Sequence, residues 1–294
     1  MLTLKDRIAG GMFGLLCADA AGTPFEFGPR NALPLDADPL SDEWHLREGR
    51  AHSAAPKWAW SDDGAQALAL ADSLLVCGKL DPEDFGRCLL AWGDTGAYAV
   101  DGVVFDVGGT TSQALANLRK GVPATRAGPT GTYTQANGAI MRVLPLALWH
   151  KGSVGALVYD AHVQTLVTHG NARCCVCASL LCLWARSLMA GTAADPWNDA
   201  IDALVLRYAA CGKHGEPFLA ELEKMHESRD LRPGAGEVTA TLASAYWAVR
   251  DATDYRSAVV NAIRFGGDTD TTAAIAGGIA GVMYGIEGIP QDWR

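Results

Sequence analysis

Basic charge is scarce in this chain. Among 294 residues, 24 Lys and Arg face 33 Asp and Glu, leaving a formal net charge of −9. That balance argues against nucleic acid or an anionic membrane as a partner, and it suits a site that collects cations. Long apolar runs are missing too: no stretch approaches the roughly 18 uninterrupted apolar residues of a membrane span. With 49% hydrophobic and 19% charged residues, the composition excludes a disordered chain. Alternating strand patterns are scarce, no repeat of fixed period is visible, and no Ser/Gly/Pro linker divides the sequence. The expectation is an all-α fold, one compact orthogonal helical domain over residues 1–294.

The eight cysteines lack the spacing of a zinc site. Cys174, Cys175, Cys177 and Cys182 crowd one apolar stretch, and the chain is long for a secreted disulfide framework. Reduced, buried thiols in a cytoplasmic protein are expected. Lys5 and Arg7 precede the apolar run Ile8 to Ala18 as in a signal peptide, but Asp6 and Asp19 interrupt that pattern. Gly10, Gly11 and Gly14 make the run read as the first helix of the mature protein.

Helical periodicity is what the chain does have. It predicts helices over 65–77, 84–93, 111–119, 138–149, 155–167, 171–188, 198–211, 217–226, 237–250, 255–264 and 271–284. The segments 28–58 and 121–136 read as long loops, with at most a short β-hairpin in the first.

Two helix starts carry chemistry. Ser61-Asp62-Asp63-Gly64 places a hydroxyl and two carboxylates in one turn, which serves a helix N-cap or a cation. Gly266-Gly267-Asp268-Thr269-Asp270-Thr271-Thr272 opens the last helix. Residues two apart do not share a helix face, so Asp268 and Asp270 converge only on irregular backbone, which the glycines permit. An EF-hand is excluded because Ala273 and Ile279 stand where Gly and Glu are required. If the two helix ends meet, four carboxylates and their hydroxyls form an all-oxygen site suited to two Mg²⁺ or Mn²⁺ ions. Two capped helices that never meet are the plainer alternative.

Those motifs, with Asn137-Gly138-Ala139-Ile140-Met141-Arg142 and Thr168-His169 between them, resemble the ADP-ribosylglycohydrolase family in that order. Gly14 to Gly22 with Glu26-Phe27 is similar to the family's N-terminal segment, so the resemblance spans nearly the whole chain. It implies a compact all-α enzyme with a dinuclear metal site at helix N-termini that cleaves ADP-ribose from a protein acceptor. By position, Ser61, Asp62, Asp63, Asp268, Asp270 and Thr271 would be the metal ligands, with Asp270 bridging. Glu26 matches a carboxylate on a mobile loop, and Glu26, Asp63, Asp106 and Asp268 form the implied catalytic set. Asp106-Val107-Gly108 resembles the dinitrogenase reductase-activating branch, whose acceptor is ADP-ribosyl arginine.

On the substrate side the resemblance implies Asp106, Gly108, Gly109, Thr110, Asn137, Gly138, Met141 and His169. Arg142 reads either as a phosphate contact or as a structural ion pair, and Asp19 as a support for the metals or a helix cap. Trp44, Trp58 and Trp60 read as an acceptor entrance or as loop anchors. Three positions depart from the family pattern: Ser61 replaces Thr and keeps the hydroxyl, Gly64 removes a second one, and Ala18 precedes Asp19 where Gly is usual. The implied reaction is release of ADP-ribose from arginine on a modified protein. An O-linked acceptor, a non-catalytic ADP-ribose binder and a diphosphate-cleaving hydrolase remain as alternatives.

Overall fold

The computed structural model describes residues 2–227 and 236–294. Among them, thirteen α-helices follow in order: α1 Leu4–Gly22, α2 Asp42–His45, α3 Asp62–Cys77, α4 Pro82–Thr95, α5 Gly109–Arg119, α6 Leu144–Trp149, α7 Val154–Leu166, α8 Ala172–Ala190, α9 Pro196–Ala209, α10 Glu216–Glu227, α11 Val238–Arg250, α12 Tyr255–Arg264 and α13 Thr269–Tyr284. No strand forms among the described residues, so the all-α expectation holds. The helix boundaries follow capping chemistry. Thr3 and Asp6 form a capping box at α1, and the side chains of Ser61, Asp81, Ser153, Asn171 and Asp254 cap α3, α4, α7, α8 and α12. Left-handed Gly78, Gly96 and Gly191 stop α3, α4 and α8.

The pairing of α1 with α13 positions the site. A Cβ on Gly10 would lie 2.2 Å from the Gly281 carbonyl oxygen, one on Gly14 2.5 Å from that of Gly277, and one on Gly22 2.5 Å from Asp270 Cα. The helices therefore run antiparallel at backbone contact along a stripe spaced four residues apart. Ala18, where the family has Gly, fits because Gly277 faces it without a side chain. Tyr255 adds a hydroxyl hydrogen bond to the Gly14 carbonyl at 2.7 Å. The result fixes the C-terminal end of α1 against the N-terminal end of α13.

One expectation needs correction. The predicted helix over 138–149 is broken: Asn137–Ala139 is a 3₁₀ turn and α6 begins only at Leu144, ahead of Pro145. Pro145 has no N–H to bond the carbonyl of Met141 and its ring clashes with that carbonyl, whereas proline is at home in a first turn, so the helix restarts just ahead of it. The segment 28–58 holds the short α2 and no hairpin; its one β-type contact is an isolated antiparallel bridge between Gly28 and Gly267. No run of span length is free of charged residues, but Leu4–Phe25 and α8 are long and apolar enough on average to cross a membrane, and 72% of the most apolar stretch of each is buried inside the fold. All eight cysteines are free thiols, and the four on α8 are buried.

Candidate active site

The carboxylates meet where α1, α3 and α13 end or begin. Asp19, fully buried near the end of α1, accepts from the Ser61 amide at 2.9 Å and the Gly64 amide at 2.8 Å. It thus caps α3 from outside and draws Asp63 toward α13. Ligand atoms of Asp19, Asp63 and Asp270 lie within 4.8 Å of one another. The Ser61 hydroxyl accepts from the Asp63 amide at 3.3 Å, and the Thr271 hydroxyl donates to Asp63 Oδ1 at 3.3 Å. Asp62 Oδ2 accepts from Gln66 Nε2 at 2.9 Å.

Asp268 occupies the N-cap position of α13 yet caps nothing; its Oδ2 accepts from Asn137 Nδ2 at 2.7 Å. The irregular backbone required for Asp268 and Asp270 is present, because Gly266 and Gly267 have φ of +73° and +69°. The same two glycines tie Glu26 into the site. Phe27 donates to the Gly267 carbonyl at 2.6 Å and Gly267 to the Gly28 carbonyl at 2.9 Å, which seats the 26–28 loop against the start of α13.

A second group forms there: ligand atoms of Glu26, His52, Asp106 and Asp270 also lie within 4.8 Å of one another. Asp270 is the acid common to both groups. His52 Nε2 is hydrogen-bonded to Glu26 Oε2 and lies 3.7 Å from Asp106 Oδ1.

Burial sets the electrostatics. It raises the carboxyls of Asp62, Asp63 and Asp270 well above the usual range, with their acidic neighbours adding to the effect. Asp19 and Glu26 are each pushed up to about 7, again chiefly by burial, and Asp106 is raised for the same reason. Accepting a hydrogen bond from the ring, Glu26 raises His52.

Arg142 anchors the wall behind the carboxylates. It is wholly buried, and all five of its N–H donors are used. Nη1 reaches Gln66 Oε1 and the Gly138 carbonyl, Nη2 reaches Thr168 Oγ1 and the Gln164 carbonyl, and Nε reaches Gln164 Oε1. A phosphate contact is thereby excluded for this side chain. Thr168 accepts from Arg142, so its hydroxyl donates to His169 Nδ1 at 2.7 Å. His169, lowered to about 3 by burial and by Arg142, is neutral and carries its proton on Nε2. A Cβ on Gly138 would lie 2.9 Å from the His169 ring and 3.3 Å from the Thr111 hydroxyl, which places His169 beside the first turn of α5.

That turn begins at exposed Gly108 and Gly109 and has no side-chain cap, so its amides face outward. Met141 is buried at the turn before α6. Trp44, Trp58 and Trp60 are loop anchors: Trp44 is buried against Phe25, Trp58 donates to the Leu40 carbonyl and Trp60 to the Tyr98 carbonyl. Trp60 also fills the space over Gly64, where a Cβ would lie 2.7 Å from its ring, so the missing hydroxyl there leaves no gap.

Asp63 Oδ2, Asp268 Oδ1 and Asp270 Oδ2 are buried without any hydrogen-bond partner. A buried anionic oxygen with no donor is costly, and a cluster of them is stable only when a cation supplies the missing partner. Apart from the His52 nitrogen, the ligand atoms gathered here are oxygens, the set preferred by Mg²⁺ and Mn²⁺. The residues present therefore fit a metal centre. A cavity of about 700 Å³ lies elsewhere, between α8, α9, α10 and α11.

The family profile of ADP-ribosylglycohydrolases matches residues 1–294, and the chain belongs to that family. It is 33% identical over 293 residues to ADP-ribosylarginine hydrolase Tri1 of Pseudomonas putida (strain GB-1), covering 98% of this chain and 73% of the relative. It is 25% identical over 298 residues to ADP-ribosyl-(dinitrogen reductase) glycohydrolase of Rhodospirillum rubrum, covering 99% of this chain and 90% of the relative. A solved structure described as an ADP-ribosylglycohydrolase-related protein complex superposes with a TM-score of 0.74 at 27% identity, over 100% of this chain and 92% of that one.

Sequence reasoning missed His52 altogether. It stands in an irregular loop, and no spacing ties it to Glu26 or Asp106, which approach from 26 residues before and 54 after. Only the Gly28–Gly267 bridge and the fold of the loops bring the three together.

Proposed function

We propose that this protein is a hydrolase that releases ADP-ribose from arginine side chains of modified proteins, using two Mg²⁺ or Mn²⁺ ions. The supporting observation is the Glu26–Asp106 pair, an acidic grip beside the carboxylate cluster that already holds the His52 imidazole. Asp62, Asp63, Asp268 and Asp270 would hold the metals together with Ser61 and Thr271, and four carboxylates balance two divalent charges. Bound there, such ions polarise ribose hydroxyls and lower the pKa of water.

The chain's own residues do the rest. Asp106 accepts N–H bonds from the guanidinium of the substrate and orients its C–N bond toward the cluster. Glu26, poised at about 7, can hold a proton or release one at neutral pH, as cleavage of a bond to a basic leaving group requires. Water adds at the ribose carbon while the bond to arginine nitrogen breaks, giving ADP-ribose and unmodified arginine. The outward amides of Gly109 and Thr110 suit the diphosphate, and neutral His169 with Asn137, Gly138 and Met141 forms the remaining wall.

The test is release of free ADP-ribose from an arginine-ADP-ribosylated protein, with Mg²⁺ and with chelator, beside a serine-linked substrate. Release from the arginine substrate that chelator abolishes is the expected result. Release only from the serine substrate overturns the acceptor, and AMP as product overturns the reaction.

A further inference from the structure

The acidic pair needed by that reaction is filled in this structure. The His52 ring sits at Glu26 and Asp106, and two phenyl rings flank it. Phe105 lies 5.3 Å from the imidazole centroid at an interplanar angle of 48°, and Phe27 lies 6.1 Å away at 53°. Two carboxylates at one end and two tilted aromatic rings at the sides make a setting for a planar cation: the acids accept its N–H groups and the rings lie at about the distance at which an aromatic ring attracts a positive charge.

Three residues of this slot, Phe27, His52 and Asp106, have φ of +58°, +49° and +56°. Non-glycine residues in the left-handed region need outside support, and they tend to cluster where strain serves function. They come from three separate loops that meet at one imidazole. His52 is also not sealed in: its side chain keeps 18% exposure, Asp106 keeps 24%, and Phe27 is 76% exposed, so the slot opens to solvent.

We infer that His52 is a built-in occupant of the acceptor slot, its imidazole holding the place of a substrate guanidinium between Glu26 and Asp106 until the substrate displaces it. The inference rests on the arginine reading above. It makes His52 a positioning residue: with the slot empty of substrate it keeps Glu26 turned toward Asp270, and after cleavage it returns to displace the arginine product. Apparent affinity for a guanidinium is then reduced by the fraction of molecules in which the ring has swung out.

Agmatine, a small guanidinium compound, is the probe. Its binding to the Mg²⁺-loaded protein is measured by calorimetry, and its inhibition of ADP-ribose release is measured alongside, for the wild type, His52→Ala, His52→Gln and Phe105→Leu. If the ring fills the slot nine-tenths of the time, His52→Ala tightens agmatine about tenfold and leaves the affinity for ADP-ribose unchanged. His52→Gln, which keeps a polar side chain but no cation, gives a smaller gain in the same direction. Phe105→Leu weakens agmatine.

Agmatine affinity that is unchanged or weaker in both His52 variants overturns the inference, because the ring is then a wall of the slot and not its occupant. Should His52→Ala fail to fold, His52→Gln alone decides. Wild-type cleavage of the arginine-linked substrate with unaltered agmatine affinity in the variants sinks only the role of His52. Cleavage of the serine-linked substrate alone, with no agmatine binding in any protein, sinks the arginine reading itself.

Discussion

Arg142 and the Asp63–Asp270 carboxylates are both sealed from water and are joined through Gln66, whose amide nitrogen bonds Asp62 while its oxygen takes Arg142. Around Arg142 every donor has an acceptor, and the guanidinium stays charged although burial lowers it to about 9. Around the carboxylates three oxygens have no donor. A buried polar cluster that satisfies itself is structure; one that does not is waiting for something from outside. The two kinds of cluster should therefore answer differently to substitution.

Removing one unsatisfied oxygen should cost little stability and nearly all activity. Asp270→Asn takes away the acid common to both carboxylate groups, and we expect ADP-ribose release to fall by at least about a thousandfold, some 4 kcal/mol of barrier. The metal-free variant should be no less stable than the wild type, because one buried like charge is gone. The decisive reading is the Mg²⁺-induced rise in melting temperature: the wild type shows it and Asp270→Asn does not. A variant stabilised by Mg²⁺ as strongly as the wild type would break the comparison.

The satisfied cluster should behave in the opposite way. Arg142→Met strands Gln66, Thr168 and the Gly138 carbonyl in the interior. Urea denaturation should show a loss of about 3 kcal/mol, the scale for breaking a buried charged network. The folded fraction should keep part of its turnover, since Arg142 reaches the site only indirectly, through Gln66, Gly138 and Thr168. Loss of activity at full stability would put Arg142 among the groups that meet substrate.

Much of this contrast was legible in the sequence, and the illegible part has a common cause. The caps, the glycine stripe of α1 and the two acidic helix starts are local signals, and each element formed where they pointed. That the helix ends meet followed only from the resemblance, since no local pattern reports a contact between residues 63 and 270. The 138–149 break was readable from Pro145, but apolar residues at Ile140, Val143 and Leu144 satisfy a helix period and masked it. Arg142 gave no sign of its burial because its five acceptors come from residues 66, 138, 164 and 168. His52 was silent for the same reason: its partners are set by loops whose paths no period encodes.

The mildest test sharpens the comparison through pH. Asp19 and Glu26 stand at about 7 in the folded protein because of burial, whereas in the unfolded chain such groups titrate near ~4. The native state therefore binds more protons than the unfolded state between about pH 4 and about pH 7. Stability of the metal-free protein is fully present below that window and is lost as pH rises through it, by about 1 kcal/mol per pH unit for each group. His52, raised by Glu26, acts in the same direction. The buried neutral rings of His45, His162 and His169, lowered to about 4, about 4 and about 3, oppose this trend up to the ordinary histidine value of about 6.5, above which only the raised carboxyls and His52 still titrate. The lowered carboxyls of Asp6, Asp84 and Glu287 are at the surface and contribute little. Urea midpoints measured in chelator should thus fall from about pH 6.5 to mildly alkaline pH, and saturating Mg²⁺ should flatten or reverse the slope by favouring the ionised carboxylates. A midpoint that climbs with pH in chelator would mean the cluster is hydrated and charged, and the contrast with the Arg142 network would disappear.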